Sequence, residues 1–517
     1  MDNKIEVCIG CGSLLDKALV SSMFYSSTSI FLCTQCKKKL EISFSTIRTE
    51  ALGDMEKNRT LNEMFDSYIE KEEMLKHSNH NDSLYFNSSK MVREYMFSLL
   101  EEVHRFAYHA CFECYLYCDM FEESDPLFFS DRYFLTNSAI KVIGAWEKLY
   151  FFYAILFEID LDTNQKNNSF NSLQRKLKKT EFTKTQVYSG FINLKSKGSF
   201  KLVDEARKFN DHNISYHLGN NYQQMTAMAK GILENTTVLY KGIEEALTLL
   251  GKRVRLVKKN YAHNFTIVKK VEENEKVFRK KALKIKSKFK YEDINKIYVK
   301  SVDYQKWAER RLEEASSWKI KYSYPPLLSI YYRLIDVTVR LHESTRSLAF
   351  AYNMFSDAVR LKYADLDKFW IKFQGMNYRY FIHSALIRIY STYDKIAVII
   401  RELFEVELNN ASLEKTVEFI KTNEETKFYN TLPPFKIINR ILSNKSYKKL
   451  YDTRQDFFHQ LVMQDFMNPA YKEIIDIELV MAIIDNCKMV YELIDSIDIA
   501  LIHFHEIGTY HENKGNY

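Results

Sequence analysis

The spacing of apolar and polar positions along residues 91–250 predicts one long helix, then a second, strongly apolar helix near 132–160. A polar loop at Asp162–Asn168 and several shorter helices come next. Residues 326–517 repeat that rhythm, with a loop near Asn409–Ala411 and a polar segment at Pro433-Pro434 between the later helices. A shift of 247 residues lays one stretch on the other. Arg132-Tyr133-Phe134-Leu135 falls on Arg379-Tyr380-Phe381-Ile382, and Glu147-Lys148-Leu149 on Asp394-Lys395-Ile396. Leu156-Phe157-Glu158-Ile159-Asp160-Leu161 then meets Leu403-Phe404-Glu405-Val406-Glu407-Leu408. Helices of unrelated origin share apolar periodicity, but charged residues in step over such a length point to an internal duplication.

Composition agrees with a helical chain. Only 13 Gly and 6 Pro occur in 517 residues, too few for the turns that sheets require. The expected fold class is all-α: two tandem helical bundles, with a small cysteine module ahead of them. The expected organisation is 1–45 for the module and 46–90 for a helical connector with a loose stretch at His77–Ser89. Residues 91–250 form the first bundle, 251–325 a basic helical connector ending at Pro325-Pro326, and 326–517 the second bundle. The longest purely apolar run, Leu149–Phe157, is far shorter than the roughly 20 residues of a membrane span. The N-terminal MDNKIEVCIGCG lacks a secretory pattern, so a cytoplasmic protein with no membrane association is expected.

Charge changes the picture in one place. Between Lys252 and Lys290 stand 15 Lys and Arg against 3 Glu, a local +12 in a chain whose total is +7. Lys252, Arg253, Arg255, Lys258, Lys259, Arg279, Lys280 and Lys281 are therefore candidate nucleic-acid contacts, the alternative being a solvated helix face or a basic linker.

The cysteines carry a second signal. Cys8-Ile-Gly-Cys11 and Cys33-Thr-Gln-Cys36 have the spacing of a zinc-ribbon or treble-clef site. Four thiolates would leave Zn²⁺ no open position, so the zinc would be structural. Cys111, Cys114 and Cys118, with His104 and His109 nearby, read instead as small apolar members of a core stripe, and Cys487 reads the same way. No Gly-rich phosphate loop, Ser–His–Asp series or paired-carboxylate metal motif stands out, which disfavours nucleotide hydrolysis and two-metal nucleases.

Each repeat closes its shared register on an Arg, four intervening residues and a His: Arg207 to His212, and Arg454 to His459. With this motif late in a duplicated helical bundle, the chain resembles the HEPN superfamily, whose signature is an Arg, a short spacer and a His near the start of a late helix. The resemblance covers both repeats but not the cysteine module or the basic connector. It implies a metal-independent RNA endonuclease whose two motifs share a composite cleft, here as an intrachain pseudo-dimer. It also implies RNA as partner, with a protein partner or antitoxin possible, in bacterial toxin–antitoxin or anti-phage defence.

The residue types suit that chemistry. A His titrating near neutrality exchanges protons with the 2′-hydroxyl and the leaving oxygen, and an Arg fork holds the phosphate oxygens. The products would be a 2′,3′-cyclic phosphate and a 5′-hydroxyl. Gln455 fits the polar residue that family members place after the Arg, whereas Lys208 departs from it, which makes the second motif the stronger one. The alternative is a non-catalytic scaffold or sensor that binds nucleic acid or protein through degenerate repeats.

Overall fold

The computed structural model describes residues 21–25, 28–32, 34–78, 83–122, 131–161, 169–212, 222–252, 290–317, 327–355, 378–404, 406–408, 412–459 and 469–514. These residues are helical apart from one antiparallel hairpin, β1 (Ser21–Tyr25) against β2 (Thr28–Leu32), with Ser21 opposite Leu32 and Tyr25 opposite Thr28. Most of the chain up to Glu273 forms one compact unit, and most of the chain from Asn274 onward forms a second.

In the first unit α1 (Thr34–Ser78), α2 (Ser83–Glu122), α3 (Asp131–Leu156) and α7 (Tyr222–Lys252) pack side by side. Ser83–Ser89, expected as a loose stretch, are instead the opening turns of α2. Three short helices join α3 to α7: α4 (Phe170–Leu177), α5 (Gln186–Lys197) and α6 (Ser199–His212), with a 3-10 turn at Glu181–Lys184. Helix α3 is buried on every side from Tyr133 to Trp146, polar residues included, the mark of a central helix. Gly190 and Gly242 permit the tight approach of α5 to α7. A Cβ at Gly190 would meet Val238 at 2.6 Å, and one at Gly242 would meet Val187 at 2.8 Å. Gly198, with φ of 82°, closes α5 in the left-handed conformation, and α6 starts at the next residue.

The second unit runs through the same succession. Its elements are α8 (Tyr291–Ser317), α9 (Leu327–Phe355), α10 (Tyr378–Leu403) and α11 (Leu413–Thr422), then a 3-10 turn at Lys427–Thr431. They continue as α12 (Pro433–Ser443), α13 (Lys445–His459) and α14 (Pro469–Lys514). Pro433 and Pro434, expected as a separator, open α12, where a missing N–H costs nothing. The bounds of α10 are those of α3 plus 247.

Buried polar ties recur with the helices. Trp146 Nε1 on α3 donates to Asn235 Oδ1 on α7 at 2.9 Å, and Tyr393 Oη on α10 donates to Asn486 Oδ1 on α14 at 2.5 Å. Each Asn turns its amide back onto a carbonyl one turn earlier, Gly231 or Ala482, both at 2.7 Å. Ser199 bonds Glu234 in one unit, and Ser446 bonds Asp485 at 3.1 Å in the other. On α3, Lys141 and Lys148 form buried ion pairs with Glu113 and Glu102 of α2. Arg388 and Lys395, each 247 residues on, pair with Glu343 and Asp336 of α9. In both units the central helix thus ties to its neighbours through buried polar pairs.

Candidate functional site

Both Arg–His motifs occupy the last turns of the helix that precedes the closing helix of their series, and His212 and His459 are the final residues of α6 and α13. The family signature stands near the start of a late helix, so both copies depart from that pattern. Because Gly198 ends α5 and α6 begins one residue later, the Arg is carried to the far end of its helix. Asn444 plays the same part between α12 and α13. Five residues along a helix turn through about 140°, so Arg and His of one copy leave the helix in different directions. The side chains of His212 and His459 lie outside the described residues.

The two arginines differ in surroundings. Asp204, one turn earlier on α6, accepts from Arg207 Nη2 at 3.0 Å and from Lys208 Nζ at 2.5 Å, so a single carboxylate engages both cations. The position 247 residues beyond Asp204 is Tyr451. The Arg454 guanidinium instead stands 4.3 Å from the centre of the Tyr390 ring, on α10. Tyr390 belongs to a group of phenols with Tyr447 and Tyr451, at ring separations of 6.4 and 6.3 Å, and Tyr447 packs on Tyr393. Burial, with Glu414 adding to it, raises the Tyr390 hydroxyl above its ordinary range, while Arg454 opposes the shift. The Tyr390 face is thus a cation–π seat for the Arg454 guanidinium.

Neither Asp204 nor Tyr390 was legible as part of the site. Asp204 was detectable as an acid at i−3 and i−4 of two cations. Tyr390 lies 64 residues from Arg454 in the chain, and position 143, its counterpart, is Ile.

The remaining expected sites are less fully described. Lys252 is the exposed last residue of α7; Arg253, Arg255, Lys258, Lys259, Arg279, Lys280 and Lys281 lie outside the described residues. Cys8, Cys11 and Cys33 lie outside them too, and Cys36 falls in the first turn of α1 with its side chain outside. Among the described residues no group of His, Cys, Asp and Glu is arranged to hold a metal ion. Cys111, Cys114, Cys118 and Cys487 are buried; Cys111 donates to Thr236 at 3.3 Å, and burial pushes its thiol up to about 12. Burial raises the thiols of Cys114 and Cys487 as well, so these three are held in the protonated form. No described helix is long and apolar enough to cross a membrane.

Comparison with protein-family models, with curated proteins and with solved structures finds nothing that matches the chain.

Proposed function

We propose that the chain is a metal-independent RNA endonuclease of HEPN type, with Arg454 and His459 carrying the chemistry and Arg207 and His212 as a weakened second copy. The observation that carries this reading is the recurrence of Arg and His at the end of the same helix in both series of elements. The engagement of Arg207 and Lys208 by Asp204 supports the division of roles. In this reading His459 moves the proton of the attacking 2′-hydroxyl, and Arg454 stabilises the charge that builds on the phosphate. The setting is the one the family resemblance implies, bacterial toxin–antitoxin or anti-phage defence.

A structural zinc on Cys8, Cys11, Cys33 and Cys36 belongs to the same proposal. A hairpin stands between the two cysteine pairs and α1 begins at Thr34, directly after Cys33 in the chain; the four-thiol donor set suits Zn²⁺ with no site left for catalysis.

A second reading, a non-catalytic scaffold that binds RNA or protein, is favoured by the ion-paired state of the first motif. The two are separated by end chemistry. An RNA with 2′-deoxy sugars at the mapped cleavage points should resist the protein, and unmodified RNA should yield cyclic-phosphate ends. Cleavage that ignores the 2′-hydroxyl would rule out the proposed route.

A further inference from the structure

From Arg175 to Lys201 the chain carries eight Lys and Arg, Arg175 included, and a single acid, Glu181. The fold draws these cations together. The last turn of α4 holds Arg175 and Lys176, and the last turn of α5 holds Lys195 and Lys197. The two helix ends meet where Lys195 Nζ donates to Gln174 Oε1 at 3.1 Å. Lys195 lies 4.8 Å from the centre of the Phe191 ring and 5.9 Å from that of Phe200. Partial burial and the nearby charge of Lys178 lower its affinity for its proton, a sign that like charges crowd here.

Glu181 is taken by Lys184 at 2.7 Å, and Lys201 reaches Glu205 at 3.5 Å. Arg175, Lys178, Lys179, Lys195 and Lys197 are exposed, and no ion pair forms on them among the described residues.

A helix C-terminus favours cations, which accounts for one or two of them. It does not account for the set, because the second unit builds the corresponding helices without it. In their last turns the two counterpart helices, α11 and α12, carry one cation each, Lys421 and Arg440, and Arg440 is paired with Glu492. The bundle therefore does not require these charges, and a bound polyanion would relieve their mutual repulsion.

A membrane surface is the poorer partner. Interfacial binding needs an apolar helix face, and the apolar faces of α4 and α5 (Leu173, Leu177, Val187, Phe191, Leu194) are spent on the core.

We propose that the face formed by Arg175, Lys178, Lys179, Lys195 and Lys197 grips the phosphate backbone of RNA without reading its sequence. In this arrangement the first repeat supplies the binding surface and the second the chemistry. The RNA assignment rests on the endonuclease reading. The contacts are with phosphates, so affinity falls with salt.

The test uses the full chain silenced by Arg454→Ala and His459→Ala, titrated into a fluorescent single-stranded oligoribonucleotide at several salt concentrations. Adding Arg175→Gln, Lys178→Gln and Lys195→Gln should weaken binding by roughly tenfold or more at low salt. Three lost phosphate contacts at about 0.7 each should flatten the log–log salt slope by about 2. Lys421→Gln in the second unit serves as control and should change neither. Thermal unfolding of the triple variant should match that of its parent, since these side chains are exposed. Unchanged affinity and slope in the triple variant would overturn the proposal. So would a parent that binds phosphatidylserine vesicles through this face and no RNA. Cleavage by the active chain is scored separately. RNA bound through this face but never cut would sink the endonuclease reading alone. Cutting by a chain whose triple variant binds like its parent would sink this proposal alone.

Discussion

The polar tie between Tyr393 and Asn486 gives a quantitative test of the bundle. The phenol donates to Asn486 Oδ1 at 2.5 Å, and Asn486 Nδ2 donates to Ala482 O at 2.7 Å. The two side chains are 1% and 0% exposed, so water cannot replace either partner. Burial above all, then Cys487 and Tyr390, holds the Tyr393 hydroxyl well above its ordinary range, and it remains a donor at any working pH. Tyr393→Phe strands the Asn486 oxygen, and Asn486→Leu strands the Tyr393 hydroxyl. A buried polar group left without its bond costs about 1–3 kcal/mol. The double variant strands neither, so its cost should fall short of the sum by about 1–2 kcal/mol. In a unit of this size 1 kcal/mol moves the midpoint by about 2–4 °C, so each single change should lower it by roughly 2–12 °C. Calorimetry of the full chain should show the shift in one transition only, because the two units need not unfold together. Strictly additive losses, or single variants as stable as the parent, would refute the reasoning.

Three further outcomes are expected. His342 Nδ1 lies 3.0 Å from Ser301 Oγ, and burial, with Arg346 adding to it, pushes the imidazole down to about 3 from an ordinary 6.5. Between those values the unfolded chain binds the proton and the folded one does not, so stability should decline as pH falls below 6.5. His342→Gln should reduce the pH dependence of the urea midpoint, and an unchanged dependence would contradict the account. Arg454→Gln should cut RNA cleavage by about 10²-fold or more while Arg207→Gln changes it little, measured as single-turnover rates; equal losses would mean that Asp204 does not silence the first motif. Metal analysis should find one zinc per chain, absent from Cys33→Ser/Cys36→Ser, with the cleavage chemistry intact in that variant; retention of the zinc would exclude these ligands.

The helical class and the register of the repeat were legible because α3 and α10 keep charged residues in step at a fixed shift. The first helices of each unit, α1 and α8, were expected as helical connectors and not as members of the bundles. Residues 34–78 and 291–317 are rich in Glu and Lys and bury a narrow stripe, so little apolar pattern survives to be matched. Asn235 and Asn486 stand 251 apart, four more than the shift that aligns α3 with α10, and a search at one offset passes over them. The place of the motif within its helix was not legible, because the one-residue connection at Gly198 is set by a left-handed backbone, which fixes where α6 starts. The basic face was hidden for another reason: its cations sit on two helices and meet only through the packing of α4 on α5.

The most direct test of the central claim is RNA cleavage in EDTA by the wild-type chain beside the Arg454→Ala/His459→Ala variant, with total tRNA and a mixed RNA ladder as substrates. The account predicts fragments from the wild type alone, bearing 2′,3′-cyclic phosphate and 5′-hydroxyl ends. No cleavage of any RNA, or equal cleavage by the variant, would contradict it and leave the chain a binding protein.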